Sequence, residues 1–313
     1  MSDAEIQQSS ETIHLMFGST SDETHILPKV RAFSIRHPPL IIDLQYGSVD
    51  NTPKKVEMVL TNWSSEGSAT KARTYATGAG MVNALTGESK SHYARLNDLV
   101  VGVPVTDKSS EGLTAFLSTF EKPPFNPVVA VGLNNADAAL EIVYRFKHKP
   151  ITNGVERVIV PGAPEESYDL VRNEFYAALK DFGIFYDIVD LSEIGSTPNE
   201  IVLNPFCIHT QPSLRQVDKR LAETQGGIQI AYPMVPIRGY TTFYAKLAQE
   251  MGEMRCTGIV TSLYPVNAAI VAAQLTRNED ALRLIKAKRE ERAVKIEKHK
   301  GLTIINREVT QNK

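Results

Sequence analysis

Two glycine-containing turns are the residues best suited to chemistry. Gly18-Ser19-Thr20-Ser21-Asp22 follows a short apolar run, Thr12–Phe17, and precedes a segment of helical pattern. Glycine permits close approach of a ligand to the backbone. A helix start offers unpaired N–H groups and a partial positive charge, so this turn suits a phosphate. Ser19 and Ser21 add hydroxyl donors, and Asp22 can accept from ribose hydroxyls. The plain alternative is helix capping by Ser21 or Asp22, which the same residues satisfy. Gly78-Ala79-Gly80 is a second such turn, read between a strand at Thr74–Thr77 and a helix. Open parallel sheets place ligands at that kind of junction, although tight turns need glycine in any case. No HExxH, Walker loop or Ser-His-Asp logic is present. The histidines at 14, 25, 37, 92, 148 and 299 show no ligand spacing, so no metal site is expected.

These turns require strands and helices in alternation. Thr12–Phe17, Leu40–Leu44, Leu99–Val103 and Val128–Val131 read as strands, and Leu40–Leu44 is apolar enough for cover on both faces. Helices are expected from Asp22 or Thr24 to Phe33 and from Pro53 to Trp63, where proline fits the first turn. The alternation predicts a parallel, doubly wound sheet.

One unit recurs. Val101-Gly-Val-Pro-Val, Gly112-Leu-Thr-Ala-Phe-Leu, Pro127-Val-Val-Ala-Val-Gly-Leu and Ala138-Ala139-Leu140 form the first set. Ile230-Ala-Tyr-Pro-Met, Gly239-Tyr-Thr-Thr-Phe-Tyr, Thr257-Gly-Ile-Val-Thr-Ser-Leu and Ala268-Ala269-Ile270 repeat it in order. A fixed-order recurrence at half the chain length predicts a duplicated domain. The units are 12–147 and 155–300, joined by a charged Pro/Asn/Gly linker at Lys147–Val155. The second unit is abridged, because the helix expected before Ile201–Leu203 is missing. It ends in a charged helix capped by Asn278, whose Leu282, Ile285 and Ala293 form a narrow apolar stripe.

Composition sets the outer limits. The 313 residues leave room for two cores. Hydrophobic and charged fractions of 42% and 22% suit a globular protein. A net charge of −2 gives no general attraction to nucleic acid or an anionic membrane. No apolar run nears the length of a membrane span. Met1–Glu11 lacks a secretory layout, and two cysteines, Cys207 and Cys256, suit a reducing cytoplasm.

At Gly18–Asp22 the sequence resembles the aminoimidazole-ribonucleotide carboxylases and carboxyaminoimidazole-ribonucleotide mutases of purine synthesis. Their Ser-Ala-His-Arg-Thr-Pro aligns with Ser48-Val49-Asp50-Asn51-Thr52-Pro53. Their glycine-rich segment aligns with Thr77 to Gly87, and their closing elements with Val101–Pro104, Gly112–Ser118 and Asn134–Leu140. In the second unit Asp181-Phe-Gly-Ile-Phe-Tyr, Asn267-Ala-Ala-Ile-Val-Ala-Ala-Gln and Ala281–Ile296 are similar to the family interior and terminal helix. The resemblance implies a duplicated three-layer α/β/α fold with a parallel, flavodoxin-like sheet. It also implies a phosphorylated nucleotide ligand contacted by Gly18, Ser19, Ser21, Asp22, Ser48, Asn51, Gly78, Ala79 and Gly80. Family members are octamers of single units, so four fused chains would make a homotetramer with pseudo-octameric packing.

The family reaction relocates a carboxylate without metal or redox cofactor, so the resemblance implies none, and it needs a group that moves a proton, a task suited to histidine. Asp50 and Ala84 stand at the two histidine positions, and Asn51 replaces the arginine. Asp50 and His209, in Phe206-Cys207-Ile208-His209-Thr210, are the catalytic candidates that remain. Lys108 and Arg238 occupy matching loops and can supply charge to an anion. Gly162-Ala163-Pro164-Glu165-Glu166 replaces the phosphate motif in the second unit, where two acids should repel an anion. The expected protein is therefore a divergent family member, an isomerase or lyase with altered residues if it is an enzyme. The alternative is a non-catalytic nucleotide-binding or scaffold protein.

Overall fold

The computed structural model describes residues 12–65, 74–80, 85–86, 89, 98–106, 109–148, 158–161, 169–195, 200–206, 214–223, 227–234, 240–254, 258–261 and 264–298. Met1–Glu11, Met81–Ala84, Lys108, the segment 149–157, Gly162–Glu166, Cys207, His209, Arg238 and Cys256 lie outside the described residues.

The first half runs β1 (Thr12–Phe17), α1 (Glu23–Arg36), β2 (Ile41–Tyr46), α2 (Pro53–Ser65), β3 (Thr74–Ala79), β4 (Leu99–Pro104), α3 (Ser109–Phe120), β5 (Val128–Ala130) and α4 (Ala136–His148). The second runs β6 (Val158–Pro161), α5 (Asp169–Asp181), β7 (Tyr186–Val189), β8 (Ile201–Phe206), α6 (Leu214–Glu223), β9 (Ile228–Pro233), α7 (Tyr240–Gly252), β10 (Gly258–Val260), α8 (Pro265–Thr276) and α9 (Glu279–Lys298). All ten strands share one sheet, in the order β2-β1-β3-β4-β5-β10-β9-β8-β6-β7. Read outward from the centre, the halves have the same order, and within each half every pair is parallel. This is the doubly wound flavodoxin-like order. The halves meet where β10 pairs antiparallel with β5, Val260 opposite Ala130.

Side-chain alternation explains the layers. Ile13, Leu15 and Phe17 of β1 join a core with Ile26, Val30 and Phe33 of α1 and the apolar face of α4. Met16, on the opposite face, packs with Tyr75 and Val100 beneath Val56, Val59, Leu60 and Trp63 of α2. Gly102 lies close under α3, since a Cβ there would come within 2.2 Å of Thr119 Cγ2. The main core does not stop at the junction. It continues from Ile13 to Ile285 through both halves, so they share one interior.

Ties across the junction are reciprocal. Arg145 of α4 donates to the Gly227 carbonyl before β9, at 3.2 Å. Gln274 of α8 donates to the Asp98 carbonyl before β4, at 3.0 Å. Arg277 donates to the Phe146 carbonyl at 2.8 Å, and Asn267 to the Pro123 carbonyl at 3.0 Å.

Several local expectations are corrected. β2 is an edge strand with Ile41 41% exposed, so its apolar residues do not reflect cover on both faces. β3 runs on to Ala79, which makes Gly78 and Ala79 strand residues rather than a turn. Gly78 is needed there because a Cβ would sit 2.5 Å from the Phe17 ring and 2.6 Å from the Val103 carbonyl. Asn278 caps α9 as expected, accepting from the Ala281 amide at 2.9 Å. Leu282 and Ile285, however, are already buried within the chain, and Ala293 is exposed. The stripe is short because α9 packs beside α8, where Ile285 fills the shared core. Beyond it Lys288 lies over the Phe182 ring and pairs with Asp181.

Candidate functional site

The parallel strands of the first half place their C-terminal ends along one edge, where loops can converge. Gly18 leaves β1 and donates its amide to the Gly78 carbonyl of neighbouring β3, at 2.8 Å. A Cβ at Gly18 would come within 2.9 Å of the Ala79 Cβ. The two glycine motifs, sixty residues apart in sequence, therefore abut. Gly47 follows β2 and donates to the Phe17 carbonyl at 2.9 Å, which brings the 48–53 turn to the same edge. Val105, after β4, donates to the Ala79 carbonyl at 3.1 Å.

The Gly18–Asp22 turn is a capping box, with Ser19 rather than Ser21 as the cap of a short 3-10 turn that runs into α1. Ser19 Oγ accepts from the Ser21 amide at 3.1 Å and from the Ser21 hydroxyl at 2.8 Å. The Ser19 amide donates to Asp22 Oδ2 at 3.2 Å. Three of the donors that a phosphate would use, the Ser19 and Ser21 amides and the Ser21 hydroxyl, are thus engaged inside the turn. The Ser19 and Ser21 side chains remain exposed at the edge. Asp22 is buried, and burial pushes its carboxyl above the ordinary range, against the lowering effects of the Ser19 amide and His25. Tyr46, at the end of β2, is raised by burial and then by the charges of Glu23 and Asp22.

In the next loop Ser48 Oγ accepts from the Asn51 amide and from Asn51 Nδ2, each at 3.3 Å, and the Ser48 amide donates to Thr52 Oγ1 at 3.0 Å. This local network holds Asn51 against its own turn. Asp50 is exposed. β8 ends before His209 and runs opposite to β1, because the junction is antiparallel. It therefore points toward the opposite edge of the sheet from Asp50.

Sequence reasoning missed Asn134. Its backbone is left-handed, with φ 55°. Its Oδ1 accepts from the Thr106 amide at 2.9 Å, its Nδ2 donates to the Thr106 carbonyl at 2.7 Å, and its amide donates to the Pro104 carbonyl at 2.8 Å. Lys29 of α1 donates to the Asn134 carbonyl. Asn134 thereby clasps the loop after β5 to the loop after β4. The available signal was asparagine, which tolerates this backbone region, directly before a helix.

Family comparison falls on the same half of the chain. The AIR carboxylase family model matches residues 12–147. The first half of the chain is AIR-carboxylase-like. The match ends where α4 ends, so the second half lies beyond it. A crystal structure of PurE from Treponema denticola is 22% identical over 44% of this chain and 82% of that one, with a TM-score of 0.35. The C-terminal domain of glucosamine-fructose-6-phosphate aminotransferase from Francisella tularensis is 10% identical over 91% of this chain and 88% of that one, with a TM-score of 0.23. No curated protein matches the chain. No helix among the described residues is long and apolar enough to cross a membrane. Among the described residues, no group of three or more His, Cys, Asp or Glu side chains is placed to hold a metal ion.

Proposed function

We propose that the strand-end edge of the AIR-carboxylase-like half binds a phosphorylated, nucleotide-like small molecule, and that family carboxylate transfer is weak or lost. The observation that carries this reading is the Gly18–Gly78 contact, which joins both glycine motifs at adjacent strand ends. Ser19 and Ser21 are the anion contacts. Ser48, Asn51, Ala79, Gly80 and Lys108 complete the ligand set. Asp50 and His209 are the proton-transfer candidates, and Asp50 is the one on this edge. The chain acts in the cytoplasm on a purine-pathway type of ligand. Its assembly is a homotetramer in which each chain supplies two units.

The test is thermal shift against a panel of ribonucleoside monophosphates, repeated with Ser19→Ala/Ser21→Ala. Each lost hydrogen bond to a charged partner should cost about 1.5–3 kcal/mol of binding. Unchanged affinity in the double variant rules the edge out. A direct isomerisation assay should find turnover lower than in a family member with both histidines by about 10²–10⁴.

One observation favours a second reading, that of a non-catalytic binding or scaffold protein. The Ser19 and Ser21 amides already have acceptors within the turn, Asp22 Oδ2 and Ser19 Oγ, so the turn is held together without a ligand. A panel with no stabilising nucleotide supports that reading.

A further inference from the structure

The loop that carries Asn134 meets the second half at Gly132. Gly132 follows β5, and a Cβ built on it would lie 2.3 Å from the Met251 carbonyl oxygen and 3.1 Å from the Gly252 Cα. Met251 and Gly252 end α7. Two backbones from different halves therefore meet at a distance that only glycine allows. Asn135 donates its amide back to the Gly132 carbonyl at 3.1 Å, and its Oδ1 accepts from the Ala138 amide at 3.2 Å, which fixes the start of α4. Between Gly132 and Asn135 sits Asn134, held in the left-handed region and bonded twice to Thr106.

The same contact is anchored from behind. Met251 is fully buried in the shared core, so the end of α7 is held by packing and not by an exposed turn. α3 and α7 also pack against each other across the junction.

We infer that the second half positions the rim of the first half's binding edge: the end of α7 fixes Gly132, and through it the Asn134 clasp on Thr106. Gly132, Met251 and Asn134 are positioning residues. This inference rests on the reading of that edge as the ligand site. It assigns the second half a mechanical role that requires no ligand of its own.

The test uses the full chain and reads amide hydrogen exchange at Thr106, whose N–H donates to Asn134 Oδ1. The Gly18 amide, bonded to Gly78 within the sheet, is the internal control. Gly132→Ala should speed Thr106 exchange at least about tenfold, the effect of losing roughly 1.4 kcal/mol of local protection, while Gly18 exchange stays unchanged. Met251→Ala changes no first-half residue and should also speed Thr106 exchange, so the inference stays testable if Gly132→Ala does not fold. Asn134→Gly keeps the backbone conformation accessible and removes both clasp bonds, so it sets the upper limit of the effect. The same variants should reduce the thermal shift given by adenosine 5′-monophosphate. Unchanged Thr106 exchange in folded Gly132→Ala or Met251→Ala overturns the inference. So does faster exchange with an unchanged nucleotide shift, because the clasp would then not belong to the rim. Loss of the edge reading itself shows separately, as an unchanged shift in Ser19→Ala/Ser21→Ala.

Discussion

The outer flanks of the two halves start from the same strands and end differently. In the first half α2 lies over β1 and β3 and encloses a core that includes Met16, Val56, Val59, Leu60, Trp63, Tyr75 and Val100. In the second half the described residues after β7 form a 3-10 turn, Leu191–Glu193. The matching core consists of Ile194, Val202, Val217 and Leu221. Strand register places Asp43 of β2 and Asp187 of β7 at equivalent positions. Asp43 accepts from Trp63 Nε1 at 2.6 Å and from Gln45 Nε2 at 2.6 Å, and it pairs with His14 Nδ1 at 3.3 Å. Asp187 is exposed. One carboxylate is a fastener for a helix. The other is exposed, on a flank where no such helix occurs among the described residues. A carboxylate set beneath a covering helix must be hydrogen-bonded there, whereas one at an exposed edge carries no such requirement.

The helix-covered flank should therefore hold the larger share of single-residue sensitivity. Trp63 is 2% exposed, stacks on Tyr75 at 5.7 Å and donates to Asp43. Trp63→Ala should destabilise the protein by about 3–5 kcal/mol through the cavity and the lost donor. Asp187→Ala, at the exposed equivalent, should cost less, about 1 kcal/mol at most, as exposed polar contacts do. Urea unfolding of both variants measures this. Equal losses would mean that the two flanks are not the unequal pair described here.

The second effect is a pH dependence. His14 first, then Gln45 and Trp63, hold the Asp43 carboxyl down at about 2, from an ordinary 3.8, against the opposing effect of burial. The ionised form is the bound form. Its contribution is complete above the ordinary value and is lost as pH falls from about 4 toward 2. Asp43→Asn should therefore flatten the stability profile in that acidic window and lower stability near neutrality. A profile with the same acid slope in both proteins would place the acid sensitivity elsewhere.

Much of this was legible in the sequence, for physical reasons that also mark its limit. The echo of Val101–Pro104 in Ile230–Pro233 is local and apolar, so it reads as one repeated strand, and both segments are fully buried central strands. Pro53 announced its helix start through its fixed backbone, and Asn278 through its capping side chain. The antiparallel meeting of β5 and β10 was not legible, because pairing between two strand edges leaves no pattern in either strand. Gly78 looked like a turn because a glycine that avoids a clash inside a sheet and a glycine that bends a chain are the same letter. The Asn134 clasp was hidden for a similar reason, since Asn-Asn before a helix is also an ordinary start. The reach of Lys29 to it depends on how α1 packs.

The smallest expected effect concerns the edge of the first half. Asp22 and Glu23 stand at the start of α1, and the sequence of the second half carries Glu165-Glu166 at the related position. Asp22 is buried and holds the Ser19 amide. Asp22→Asn keeps an oxygen that can accept from Ser19, so the capping box should survive. It removes a negative charge beside the anion contacts. A charge at a helix start is worth about 0.3–1 kcal/mol, so inorganic phosphate should bind roughly two- to fivefold more tightly, as read by calorimetry at low salt. Adenosine 5′-monophosphate supplies the second arm. If Asp22 also accepts from ribose hydroxyls, the gain on the phosphate is offset by a lost contact, and nucleotide affinity should hold steady or fall while phosphate affinity rises. Equal gains for both probes would remove Asp22 from the ribose contacts and leave it as a cap. No gain for either would mean that the anion does not sit at this turn.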